Sequence, residues 1–223
     1  MPVALITGGS AGLGLALAKA LAGRGWSLVI DARSEDALSR AHAELAALTE
    51  VVAIPGDVTD PAHRRELADA AGRLDLLVNN ASALGPSPLP RLAQYPLDEW
   101  ERVYRVDVLA PLGLIQATLP ALAGGIVVNI SSDAAVEAYE GWGGYGSAKA
   151  ALDQLTAILG AEHPDLAVYA FDPGDMRTEM HQRAFPGEDI SDRPEPESVV
   201  PALLDLIANR PASGRYRAQE LVK

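Results

Sequence analysis

Cysteine is absent from the 223 residues, which excludes a disulfide framework and a thiolate metal site. Histidine is scarce. His42, His63, His163 and His181 are too scattered to form a metal site, and the first three read as helix-surface or helix-end residues. Aromatic residues make up only 5%, and Trp26 and Trp100 read as packing residues. Basic residues are outnumbered, 18 Lys and Arg against 30 Asp and Glu, for a net charge of −12. That balance argues against non-specific binding to nucleic acid or to anionic membrane. No apolar run approaches the roughly 20 residues of a membrane-spanning helix. The opening Met1-Pro2-Val3-Ala4-Leu5-Ile6-Thr7-Gly8-Gly9 lacks a basic segment before its apolar stretch, so it is not read as a secretion signal, and a cytoplasmic protein is expected.

What remains is the composition of a soluble globular protein, 48% hydrophobic and 22% charged, with neither internal repeat nor linker. The length suits a single domain, 1–223. Short apolar runs at 3–7, 27–31, 51–54, 74–79, 125–131 and 166–172 read as buried strands, with a last strand at 215–220. Amphipathic stretches at 12–23, 34–48, 61–71, 96–119, 145–160 and 196–208 read as helices. This alternation predicts a doubly wound, Rossmann-type α/β fold: a parallel sheet of six to seven strands with helices on both faces. The segment 183–196, rich in Pro, Asp and Glu, reads as a mobile surface loop.

Between the first strand and the first helix stands Thr7-Gly8-Gly9-Ser10-Ala11-Gly12-Leu13-Gly14. Glycine permits a tight turn and close approach of a phosphate, and the helix N-terminus offers free N–H groups to it. The motif therefore predicts a nucleotide site. Further on, Tyr145-Gly146-Ser147-Ala148-Lys149 places a phenol and an ammonium on one helix face. Ser132 lies thirteen residues earlier, at a strand end. Interconverting an alcohol and a carbonyl needs a proton exchanger beside a hydride carrier. Free tyrosine, with a pKa of about 10, is a poor base at neutral pH. A nearby ammonium favours tyrosinate. The serine hydroxyl can polarise the substrate oxygen.

These motifs, in this order, resemble the short-chain dehydrogenase/reductase family. The resemblance runs from about residue 3 to residue 220. It also takes in Asp57-Val58-Thr59-Asp60, Asn79-Asn80-Ala81-Ser82, and Asp172-Pro173-Gly174 with Thr178. It implies that Ser132, Tyr145 and Lys149 are catalytic, with Lys149 also bonding the nicotinamide ribose. It implies cofactor contacts at Gly8, Ser10, Gly12, Leu13, Gly14, Asp57, Val58, Asn79, Ala81, Tyr145, Lys149, Pro173, Gly174, Met176 and Thr178. By the family pattern the acid that selects NAD falls at position 32, which is alanine, and Arg33 follows. That is an NADP arrangement, since arginine suits a 2′-phosphate. A one-residue shift would make Asp31 the ribose acid and NAD the cofactor.

Two positions depart from the family pattern. Trp100-x-x-Val103-x-x-Val106 is followed by Asp107 where the family has an asparagine that helps hold a water beside the lysine, so Asp107 joins the candidate catalytic set. Ser82 replaces a glycine. The substrate, a small carbonyl or alcohol compound, is expected between 133–144, with Glu137, Tyr139, Glu140 and Trp142, and 175–194, with Met176, Met180, His181 and Phe185. Family members pair through the helices at 96–119 and 145–160, so a homodimer or homotetramer is expected. The leading expectation is a ketone or aldehyde reductase. The alternatives are a catalytically weak nucleotide sensor or scaffold, and a cofactor-free lyase, which the intact lysine and glycine loop oppose.

Overall fold

The computed structural model describes residues 1–122 and 124–221. Seven parallel strands form one sheet: β1 (Val3–Ile6), β2 (Ser27–Ala32), β3 (Val51–Pro55), β4 (Leu76–Asn79), β5 (Ile126–Ile130), β6 (Ala167–Asp172) and β7 (Gly214–Arg217), in the order β3-β2-β1-β4-β5-β6-β7. The helices between them are α1 (Gly12–Ala22), α2 (Glu35–Ala46), α3 (Pro61–Ala71), α4 (Leu97–Tyr104), α5 (Ala110–Thr118), α6 (Gly143–Glu162), α7 (Glu179–Ala184), α8 (Val200–Asn209) and α9 (Ala218–Leu221).

Strand side chains alternate between two cores, as the period of two requires. Ala4, Ile6, Leu28, Ile30, Val78, Val128 and Phe171 face α1, α2 and α8. Leu5, Val29, Leu77, Val127 and Val168 face α3 and α5. Both faces are therefore dry, which explains why the central strands lack polar alternation. Truncating a fully buried side chain such as Leu5 would cost roughly 2–5 kcal/mol. The order reverses direction between β1 and β4, both paired to each other through Leu5 and Leu77. Connections leave that point in opposite directions, and a crevice opens at the strands' C-terminal ends.

Four expectations need correction. The stretch 96–119 is not one helix: a π-helical turn, Arg105–Leu109, separates α4 from α5. The last strand ends at Arg217, and the chain turns into α9. The segment 183–196 is a mostly exposed loop as expected, but it begins inside α7 and buries Ile190 and Pro196, with the Arg177 N–H donating to the Pro194 carbonyl at 2.8 Å. His63 is not a surface residue, being only 6% exposed.

Candidate active site

A continuous cleft of about 1070 Å³ runs along the C-terminal ends of the strands. Its first end is built by β2 and the segment after β3, where Ala32, Arg33, Ala37, Asp57 and Val58 line it. Its middle is the glycine loop, and its far end is lined by Ser132, Tyr145, Lys149 and 173–181.

The loop is shaped for close approach. Gly8 and Gly12 have φ of +65° and +52°, a region that side chains rarely adopt. Ala11, at the N-cap of α1, provides no side-chain cap. By contrast, Ser34 caps α2 and Asp60 caps α3. The N–H groups of the first turn of α1 are thus left for a ligand, and an anion suits them. Asn80 fixes the loop from β4, donating through Nδ2 to the carbonyls of Thr7 at 2.9 Å and Gly8 at 3.2 Å. Asp31 fixes it from β2: one carboxylate oxygen accepts from the Gly8 N–H at 2.8 Å, and the other meets His63 Nε2 at 3.0 Å. Asp31 is buried with both oxygens engaged, unlike a ribose ligand waiting at the surface.

The structure brings together Gly8, Ser10, Gly12, Leu13, Arg33, Asp57, Val58, Ala81, Ser132, Tyr145, Lys149, Pro173, Gly174, Met176 and Thr178 around this cleft. Gly14 and Asn79 do not line it. A Cβ on Gly14 would stand 2.4 Å from the Gly8 carbonyl oxygen, so this glycine lets α1 approach the loop. Asn79 is 3% exposed and donates to Asn129 across the sheet at 2.7 Å; its neighbour Asn80 faces the cleft instead. Glu137, Tyr139 and Glu140 also lie off the cleft. Tyr139 engages Glu137, and Glu140 pairs with Arg91 on the surface.

At the far end of the cleft, α6 carries Tyr145 and Lys149 against the end of β5. Gly146 makes this contact possible, because a Cβ there would sit 2.6 Å from the Ala134 carbonyl oxygen. Lys149 is 2% exposed; its ammonium donates to the Ile130 carbonyl at 2.9 Å and lies 3.1 Å from Asp107 Oδ1. Asp107 is fully buried and does not reach the cleft surface. The π turn supplies it, and its carboxylate accepts from the Ser82 hydroxyl and from the Ala83 N–H at 3.1 Å. The two departures from the family pattern therefore bond to each other. Ser132 accepts from the Ala134 N–H at 3.2 Å and donates to Asp133 at 2.9 Å.

Burial raises the pKa of Tyr145; Lys149 opposes this, and Asp107 adds to it. Burial works against the charge on Lys149, but Asp107, then Tyr145, outweigh it and hold its pKa above the ordinary lysine value. Beyond Tyr145, Leu84, Trp142, Met180 and Ala184 form an apolar wall. Phe185 backs Trp142 from behind, with ring centroids 6.0 Å apart.

Sequence reasoning missed a further link. Arg215 on β7 donates to the Ser132 carbonyl at 2.9 Å, to Asp172 at 2.9 Å and to Asp153 at 3.0 Å. Asp172 in turn accepts from the Gly174 N–H at 3.0 Å. An arginine in a polar edge strand gave no signal of this. Asn80, by contrast, is adjacent to Asn79, the position that the family resemblance implies.

Residues 2–189 match the short chain dehydrogenase family model. The chain is 38% identical to the rhamnolipids biosynthesis 3-oxoacyl-[acyl-carrier-protein] reductase of Pseudomonas aeruginosa over 72% of its length, spanning 66% of that relative. It is 34% identical to the sepiapterin reductase of Mus musculus, over 82% of this chain and 77% of that one. A short chain dehydrogenase from Shigella flexneri 2a, complexed with NADP, superposes with a TM-score of 0.87 at 27% identity, covering 98% of this chain and 97% of its own. With the glycine loop, the Ser132, Tyr145 and Lys149 end and the sheet order in place, the chain belongs to the short-chain dehydrogenase/reductase family, NAD(P)-dependent oxidoreductases acting on CH–OH and carbonyl groups.

Proposed function

We propose that this chain is an NADPH-dependent reductase of small ketones or aldehydes, working as one unit over 1–223 with Tyr145 as the proton donor. The observation that carries the reading is the burial of Tyr145 beside a Lys149 whose charge is already answered by Asp107. The raised pKa keeps the phenol protonated near neutrality, which is the form a reduction consumes. Ser132 orients the carbonyl oxygen toward that phenol. Lys149 spends N–H groups on Ile130 and Asp107 and has one left for the nicotinamide ribose. When bound, the nicotinamide supplies the hydride.

Arg33 meets the 2′-phosphate at the first end of the cleft, and Ala32 removes the acid that would oppose it. The loop and the uncapped α1 hold the pyrophosphate. Pro173, Gly174, Met176 and Thr178 close over the nicotinamide. Two relatives are named as reductases, and one solved neighbour is complexed with NADP. The apolar wall of Leu84, Trp142, Met180 and Ala184 selects a carbonyl compound with a largely apolar body. Exposed Leu97 and Leu109 on the α4–α5 face fit pairing into a homodimer or homotetramer.

The test is Tyr145→Phe assayed on a panel of ketones and aldehydes through NADPH absorbance. Turnover is expected to fall at least about 100-fold, while NADPH still binds. Near-wild-type turnover would refute the mechanism.

A further inference from the structure

We propose that His63 is a cofactor-specificity residue: it cancels the charge of Asp31, so the 2′-phosphate of NADPH meets Arg33 without the Asp31 carboxylate opposing it. This rests on the NADPH reading above. Asp31 stands two residues before Arg33, and both line the same end of the cleft with Asp57. An acid there repels a dianion but not the neutral 2′-hydroxyl of NADH, which can donate a hydrogen bond to a free carboxylate. The Gly8 N–H that Asp31 accepts is neutral and leaves its charge intact. His63, reaching across from α3, is the partner that can supply a positive charge at 3.0 Å.

The site is cut to fit the imidazole. Gly56 lies against it, and a Cβ there would come within 2.3 Å of His63 Nδ1. The pair is dry, with side chains 5% and 2% exposed. The other charged groups acting on the ring are Glu66 of α3 and Asp60 at its N-cap, and Asp57 after β3 senses it in turn; all are acidic. The hydrogen bond to Asp31 holds the pKa of His63 above its ordinary value, against the effect of burial. The ring is thus the counter-ion of Asp31 near neutrality, and the pair carries no net charge toward the nucleotide.

The experiment measures binding without turnover: reduced-nicotinamide fluorescence titrations of NADPH and NADH on the whole chain, for wild type, His63→Gln, Asp31→Asn and the double variant. Glutamine keeps a donor for Asp31 but brings no charge. His63→Gln is expected to weaken NADPH relative to NADH by roughly tenfold, as one uncancelled charge near a dianion would. Adding Asp31→Asn should restore the ratio, because the carboxylate being cancelled is then gone. If His63→Gln does not fold, Asp31→Asn alone decides. A selective loss of NADH would make Asp31 the ribose ligand and overturn the proposal; no such loss upholds it. An unchanged ratio in His63→Gln, or a loss shared by both cofactors that Asp31→Asn does not repair, overturns it and leaves the NADPH reading standing. A wild type that prefers NADH overturns both.

Discussion

Asp107 shows how one atom's difference changes the electrostatics of the site. An asparagine there would bond Ser82 and Ala83 but leave Lys149 with its full charge to act on Tyr145. The carboxylate, 3.1 Å from the ammonium, neutralises part of that field. Asp107 raises the pKa of Tyr145, and Lys149 lowers it. On the proposed mechanism, oxidation of an alcohol needs tyrosinate, so its rate rises only as pH climbs toward that raised pKa; reduction needs the phenol and persists until the same point. In Asp107→Asn the alkaline limb of the oxidation profile should therefore move to lower pH. Superimposable pH–rate profiles would show that the charge does not reach the phenol. The position of Asp107 is legible from Trp100, Val103 and Val106. Its direct contact with Lys149 is not, because a π turn leaves no mark in the apolar spacing.

Among the elements, the edge strand β7 was only partly legible, yet one of its side chains links three others. Central strands announce themselves because both faces are dry, whereas Gly214-Arg215-Tyr216-Arg217 is half-buried and polar, so its pattern gives neither boundary. The same holds for α1 against α7: the first is fixed by the glycine motif, the second by a Thr178 cap that reads as loop. Arg215 ties β7 to the ends of β5 and β6 and to α6 through Ser132, Asp172 and Asp153. Asp172 is 2% exposed, and without its arginine it would be a buried carboxylate short of countercharge, with Arg217 at 3.5 Å as a weaker neighbour. Arg215→Met should lower the unfolding free energy by about 3 kcal/mol, measured by urea denaturation. Adding Asp172→Asn should recover part of the loss by removing the stranded charge. A change under about 1 kcal/mol, the range of exposed pairs, would mean that water already screens the network.

At the scale of the whole molecule, an anionic cofactor must approach a protein of net charge −12. The long-range field opposes it, and only the local groups of the cleft attract it. Salt separates the two, since the Debye length falls from about 30 Å at 0.01 M to about 8 Å at 0.15 M. Stopped-flow association of NADPH should therefore speed up between those ionic strengths. A steep slowing would mean that a positive funnel around Arg33 dominates the approach.

The strand order has a consequence for heredity. Because the sheet winds outward from β1 and then restarts at β4, the groups that line the Arg33 end of the cleft come from the chain before Asn79, and those that line the Tyr145 end come from the chain after it. The two halves of the cleft are consecutive in the gene rather than interleaved. On the proposed reading, a single recombination at the codons for β4 would pass on one parent's coenzyme choice and the other parent's substrate range as separate inheritances.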